Sequence, residues 1–159
     1  MSSDYSFVTE WTIPASVERV WAALMSPDEW PSWWRGVIRV QLLTRGRGGG
    51  DVGSVRRYTW RSRLPYNLTF DIETTRIEPM RVIEGRATGE LEGHGRWTIT
   101  ADGAGTHVRY DWNIATTKPW MRLLSPIAKP IFAWNHDVIM EWGREGLIAR
   151  ASSTPRIAQ

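Results

Sequence analysis

Between residues 37 and 115 the chain shows no helical period, and the gaps that interrupt its apolar alternation are too short to hold a helix. That property decides the architecture. Leu68, Phe70 and Ile72, and again Val108, Tyr110, Trp112 and Ile114, fall at every second position, as in a strand with one buried face. Strands are expected at 37–44, 54–62, 66–77, 81–91, 94–101 and 106–115. Their breaks are a loop from Gly46 to Gly53 holding five glycines, the pairs Leu64-Pro65, Glu78-Pro79 and Glu92-Gly93, and the turn Ala101-Asp102-Gly103-Ala104-Gly105. Parallel neighbours need a crossover of about a dozen residues or more. Connections this short allow only an antiparallel meander.

Helical spacing is confined to the flanks. Phe7, Thr9, Trp11 and Ile13 form one more strand over 5–13, ended by Pro14. Val17, Val20, Trp21 and Leu24 follow at i, i+3, i+4 and i+7, one stripe of a short amphipathic helix. Ser26-Pro27-Asp28-Glu29 reads as a second helix start, with Ser26 as N-cap, Pro27 in the first position and Glu29 closing a capping box. That helix carries Trp30, Trp33 and Trp34 before Gly36 stops it.

From about 119 to 151 the helical period returns. It places Trp120, Leu124, Ile127, Ile131, Trp134, Val138 and Trp142 on one face with Asn135 among them, and turns Arg122, Lys129, His136 and Arg144 away. Pro126 and Pro130 each remove a backbone donor, so the helix is expected to bend or restart there.

Strands followed by a terminal helix describe an α+β domain. The expectation is a curved seven-stranded antiparallel sheet wrapped around a long C-terminal helix, with two short helices after strand 1. Residues 1–151 form the single domain and 152–159 a flexible polar tail. Only the C-terminal helix is long enough to cover the apolar face of the sheet. Where such a cover leaves a gap, the gap is a cavity suited to apolar ligands.

Composition narrows the rest. With no cysteine there is neither disulfide nor thiolate chemistry. No apolar run approaches the roughly 18 residues of a membrane span, and Met1-Ser2-Ser3-Asp4 lacks the start of a signal peptide. A cytoplasmic protein without an integral membrane segment is expected. The net charge of +3 is carried by arginines dispersed among acids, so no nucleic-acid partner is expected. Eleven tryptophans are more than ideal core packing accommodates, so some should face a cavity or the surface.

The three histidines, His94, His107 and His136, have no metal-ligand spacing, so neither a metal nor a cofactor is expected. His107 and His136 are expected to face solvent, while the phase of His94 is open. The glycine-rich loop is followed by a strand, whereas a phosphate cradle needs a helix there. It reads as a mobile hairpin loop, placed to guard a cavity mouth.

The candidate ligand contacts are Trp34, Tyr58, Trp60, Phe70, Trp97, Trp112, Trp120, Ile131 and Asn135. Each tryptophan is equally fit for core. Along the third strand either Val55, Arg57 and Thr59 or Arg56, Tyr58 and Trp60 point inward, with the second set preferred. Asn135, on an apolar face, needs a partner from the sheet backbone, a buried water or a ligand. No catalytic residue is assigned. Glu90, Asp71, Tyr58, Arg57 and His94 are the groups available as acid or base.

Pro14-Ala15-Ser16-Val17-Glu18-Arg19-Val20-Trp21 resembles the opening P-A-x-x-E-x-V-W of the SRPBCC, or START-like, superfamily, within it the polyketide cyclase/dehydrase and lipid-transport group. Ser26-Pro27-Asp28-Glu29-Trp30, Trp33-Trp34, Gly36-Val37, Gly95-Arg96-Trp97-Thr98 and Trp134-Asn135-His136-Asp137 extend the resemblance over residues 5–150. It implies the helix-grip fold and the binding or carriage of a small hydrophobic or aromatic molecule, lipid-like or polyketide-like. Two alternatives come with it. One is a cofactor-independent polyketide aromatase/cyclase or dehydratase acting in the same cavity. The other is a protein-interaction module of the co-chaperone-activating type, which predicts an exposed apolar patch and no deep cavity.

Overall fold

In the computed structural model, which describes residues 4–152, the alternation becomes seven strands. They are β1 (Asp4–Ile13), β2 (Val37–Thr44), β3 (Val55–Arg61), β4 (Asn67–Glu78), β5 (Val82–Gly89), β6 (Leu91–Asp102) and β7 (Gly105–Thr116). One antiparallel sheet holds them in the order β1-β7-β6-β5-β4-β3-β2. Strands β2 to β7 follow one another as a meander. β1 instead pairs with the last strand, from Asp4 opposite Ala115 to Ile13 opposite Thr106. Beyond residue 152, the expected tail lies outside the described residues.

The helix α1 (Val17–Leu24) starts where the Ser16 hydroxyl accepts the Arg19 N–H at 3.4 Å, and it buries Val20, Ala23 and Leu24. The capping box expected at Ser26 does not form. Ser26 stands just beyond α1, and its hydroxyl donates to the Ala22 carbonyl at 2.9 Å. Its segment enters a 3₁₀ turn, Pro27–Glu29, which leads into the short α2 (Trp30–Trp33).

The C-terminal helix is two pieces, α3 (Pro119–Leu123) and α4 (Ser125–Ser152). The break falls at Leu124, so Pro126 sits in the first turn of α4, where a missing N–H costs nothing. Pro130 stays inside α4.

The inward face of this helix differs from the expected one. Trp120, Leu124, Ile127, Ile131 and Trp134 are 46–74% exposed. Turned inward are Ala128, Phe132, Asn135, His136, Ile139, Met140 and Leu147. The N-terminal half of α4 is apolar on two sides, so periodicity alone could not choose between them. Glycine makes the choice. A Cβ on Gly143 would lie 2.5 Å from Cε2 of Trp34, and one on Gly146 only 2.0 Å from the Trp33 carbonyl oxygen. Bare backbone at both positions lets α4 seat directly on α2.

Trp34, 1% exposed, is the centre of that seat. Its ring lies 5.1–6.1 Å from those of Trp11, Trp30, Trp33, Trp60 and Trp97, and its indole N–H donates to the Ile139 carbonyl at 2.9 Å. One side chain therefore ties α4 to α2, to both edge regions of the sheet and to β6.

Candidate functional site

Beyond the tryptophan cluster, sheet and helix separate and enclose a cavity of about 200 Å³. Strand register assembles its wall. Tyr58 stands opposite Phe70, Trp97 opposite Tyr110, and Gly95 opposite Trp112. Trp97 and Tyr110 stack at 4.0 Å, Tyr110 and Trp112 follow at 5.7 Å, and Phe70 lies 5.8 Å from Trp112 and 6.3 Å from Tyr58. The result is a continuous aromatic surface across β3, β4, β6 and β7. Gly95 makes room for it, because a Cβ there would come within 2.7 Å of the Tyr110 hydroxyl and 2.9 Å of the Trp112 ring. Phe132, Asn135, His136, Ile139 and Met140 of α4 close the other side.

Polar groups in this apolar space are few. His136 lies flat on Phe7 at 4.1 Å and 10°, and both its ring nitrogens are buried with no hydrogen-bond partner among the described residues. Burial pushes its pKa down to about 4, so the ring is neutral at neutral pH. The Asp137 carboxylate, 3.9 Å from Nδ1, would act in the opposite direction, but it is 80% exposed and beyond hydrogen-bond reach, and burial wins. Asn135 Oδ1 and the Trp60 indole N–H are likewise buried without a partner among the described residues. Burial also raises the hydroxyls of Tyr58 and Tyr110, which stay protonated.

At the rim, the loop between β2 and β3 brings Asp51 to the cavity. Arg56 points inward from β3 and lies 3.4 Å from Asp28 and 3.5 Å from Asp51, with Ser54 accepting from it at 3.1 Å. Its charge is thereby spent within the protein. Arg57 points the other way and grips Asp71 with two hydrogen bonds of 2.8 and 3.1 Å. The alternation of β3 is thus the one with Arg56, Tyr58 and Trp60 inside.

Among the candidates from sequence, Trp34, Tyr58, Trp60, Phe70, Trp97, Trp112 and Asn135 come together around this cavity. Trp120 and Ile131 do not. Trp120 is 46% exposed and meets the edge of Tyr66 at 5.8 Å, and Ile131 is 47% exposed, both on the outer side of the helix. Of the candidate acids and bases only Tyr58 lines the space. Glu90 accepts the Thr69 N–H at 2.7 Å and pairs with Lys118 at 2.7 Å, Asp71 is held by Arg57, and His94 lies in a polar groove on the outer face of the sheet.

The expectation that His136 faces solvent is overturned. With α4 seated on Gly143 and Gly146, the inward stripe is Phe132, His136, Ile139, Gly143 and Leu147, at i, i+4, i+7, i+11 and i+15. Glycines in register with the aromatic residues were the signal that could have revealed it. Tyr110 and Phe7 are further lining residues that were not among the candidate contacts, and Arg56 lines the space as the preferred alternation of the third strand implied. Among the described residues no group of three or more His, Cys, Asp or Glu is arranged to hold a metal ion, and no helix is long and apolar enough to cross a membrane.

The family model described as polyketide cyclase / dehydrase and lipid transport matches residues 5–151. No curated protein matches the chain. Among solved structures, one similar fold is the di-domain ARO/CYC BexL from the BE-7585A biosynthetic pathway, with a TM-score of 0.74 and 17% identity over 96% of this chain. This chain spans only 51% of BexL, about the length of one of its two domains. The Zhui aromatase/cyclase from Streptomyces sp. R1128 has a TM-score of 0.73 and 15% identity, covering 93% of each chain. A START superfamily protein from Mycobacterium smegmatis has a TM-score of 0.72 and 15% identity, covering 93% of this chain and 96% of its own. At these identities the likeness shows the helix-grip fold alone.

Proposed function

The chain belongs to the polyketide cyclase/dehydrase and lipid-transport family of the SRPBCC superfamily, and on that premise we propose that it binds and carries a small apolar or aromatic molecule bearing at least one hydrogen-bonding group. One observation carries the reading. Asn135 Oδ1, both nitrogens of His136 and the indole N–H of Trp60 are buried without a hydrogen-bond partner among the described residues around one aromatic-walled cavity. Leaving a buried polar group unsatisfied costs about 1–3 kcal/mol. A hydroxyl can donate to Asn135 Oδ1 and accept from Trp60, which relieves that cost, while the stacked rings supply area for an aromatic or alicyclic body.

Carriage is preferred to catalysis for a chemical reason. An enolising or cyclising step needs a base poised near the working pH. His136, at about 4, is a weak base at neutral pH, and the two carboxylates that line the cavity are engaged, Asp51 with Arg56 and Glu84 with Arg76 and Arg96. Two of the similar structures are aromatase/cyclases, and that activity is the competing reading.

Native mass spectrometry of the protein purified from its own host tests the proposal. A co-purified small molecule is expected, and a cavity-filling Leu68→Trp variant that remains folded should lose it. A wild-type protein that carries nothing and binds no aromatic or lipid probe would overturn the reading. Conversion of a poly-β-ketone probe to a cyclised product would favour the enzyme instead.

A further inference from the structure

The floor of the cavity is bare at its centre. Gly85 of β5 stands directly opposite Gly95 of β6, and both line the cavity, so two adjoining strands present backbone where side chains would otherwise fill the space. The Tyr110 hydroxyl occupies part of that clearing. It lies 2.7 Å from the place a Cβ on Gly95 would take, held there by the stack of its ring on Trp97 at 4.0 Å.

Tyr58 approaches from the other side of the curl. In the sheet β4, β5 and β6 separate its strand from that of Tyr110, and curvature turns both side chains into one space. Tyr58 is 6% exposed, and the part of Tyr110 that packing leaves uncovered faces the cavity. Burial keeps both hydroxyls protonated, and they are near enough that Tyr58 adds to that effect on Tyr110. Both are therefore O–H donors. Neither bonds to the other or to any other described residue.

Two donors without an acceptor specify what fits between them. A carbonyl oxygen has two lone pairs and no proton, so it accepts both O–H groups and leaves nothing unpaired. A ligand hydroxyl brings a proton that has no acceptor once both tyrosines donate to its oxygen, and an apolar atom leaves both donors dry. A carboxylate could accept both, but the nearby Arg56 charge is already matched by Asp28 at 3.4 Å and Asp51 at 3.5 Å, so its desolvation would go uncompensated.

We propose that Tyr58 and Tyr110 form a two-donor subsite for an uncharged carbonyl oxygen, that of a ketone, quinone or lactone, above the Gly85–Gly95 floor. The subsite rests on the carriage reading and deepens it, because the ligand class narrows from apolar molecules in general to ring compounds bearing a carbonyl. Trp97 and Trp112 beside Tyr110, and Phe70 beside Tyr58, supply faces for the ring that carries it.

Fluorene, fluorenol and fluorenone test the assignment, since they share one tricyclic frame and differ only in a methylene, hydroxyl or carbonyl at one carbon. In fluorescence titrations fluorenone should bind about tenfold or more tighter than fluorene, with fluorenol between them. In infrared difference spectra the carbonyl stretch of bound fluorenone should fall below its position in hexane. Tyr58→Phe and Tyr110→Phe should each weaken fluorenone about fivefold and leave fluorene unchanged. Each removes one unpartnered oxygen, so melting temperatures should hold or rise, and either single variant decides the matter if the double variant does not fold. Equal affinity for fluorene and fluorenone, or an unshifted stretch, would overturn the subsite and leave carriage standing. A stretch that stays shifted in the double variant would put the carbonyl on another donor and count equally against it. Tighter binding of a fluorene carboxylate than of fluorenone would overturn the uncharged class. If none of these probes binds, the carriage reading falls together with the subsite.

Discussion

Protonation of His136 is the perturbation whose size follows most directly from the structure. Its ring is sandwiched against Phe7 with both nitrogens buried, and its pKa falls to about 4 from the 6.5 of a free histidine. Above pH 6.5 the residue is neutral in the folded and unfolded states alike and contributes nothing to the pH dependence. Between 6.5 and about 4 the unfolded chain takes up a proton that the folded chain refuses, so stability falls as pH falls. Linkage puts that loss at roughly 2 kcal/mol between pH 7 and pH 5 and about 3 kcal/mol once both states are protonated. For a chain of this size, 2 kcal/mol corresponds to a drop of roughly 4–8 °C in melting temperature. Carboxylates titrate in the same range, so the assay must be differential. Urea denaturation of the wild type and of His136→Phe at pH 7 and pH 5 provides it. Phenylalanine keeps the stack on Phe7 and removes the proton site, so the variant should match or exceed the wild type at pH 7. It should then lose about 2 kcal/mol less on going to pH 5. Equal losses in the two proteins would refute the reasoning, as would a His136 imidazole resonance titrating near 6.5 in the folded state.

Three further outcomes are expected. Asn135→Leu should leave stability unchanged or slightly raised, since it removes an unpartnered buried oxygen, while weakening ligand binding about tenfold or more by titration calorimetry; retained affinity would leave Asn135 without a ligand role. Gly146→Ala should lose more than about 2 kcal/mol in urea denaturation despite the roughly 1 kcal/mol that alanine gains in helix propensity, because its Cβ would meet the Trp33 carbonyl oxygen at 2.0 Å and backbone cannot step aside. Shortening the Gly46–Gly53 loop should speed ligand entry and release in stopped-flow fluorescence, since it removes Asp51 from the rim and with it one of the two acids beside Arg56; unchanged rates would deny the loop a gating role.

The sheet was legible in the sequence because a half-buried strand writes its exposure at every second residue, and short breaks leave meander topology no competitor. The number, order and near-complete bounds of β2 to β7 follow from that. Helix α4 was legible as a helix but not in its orientation. The apolar stripe through Ile127, Ile131 and Trp134 is more hydrophobic than the one through Phe132, Asn135 and His136, so maximal hydrophobicity selected the side that faces out. Amphipathicity identifies the buried face only when the other face is polar. Where both are apolar, steric fit decides, and that information sat in Gly143 and Gly146. The same error placed Trp120 and Ile131 among the ligand contacts and left His136 out. The strand-borne contacts escaped it because register ties each of them to a partner across the ladder.

The pairing of β1 with β7 sets the schedule on which this molecule can form. All other strand pairs join neighbours in the chain, whereas β1 must find a partner roughly a hundred residues away, a high-contact-order step of the kind that slows folding to milliseconds or longer. During synthesis at about 5–20 residues per second, β1 leaves the ribosome on the order of ten seconds before β7 exists. Phe7, Trp11 and Ile13 are without their native ladder for that interval, and α4, which covers them, arrives later still. The nascent chain therefore spends that interval with an aromatic edge open, and the sheet can close on its first strand only once β7 has been made.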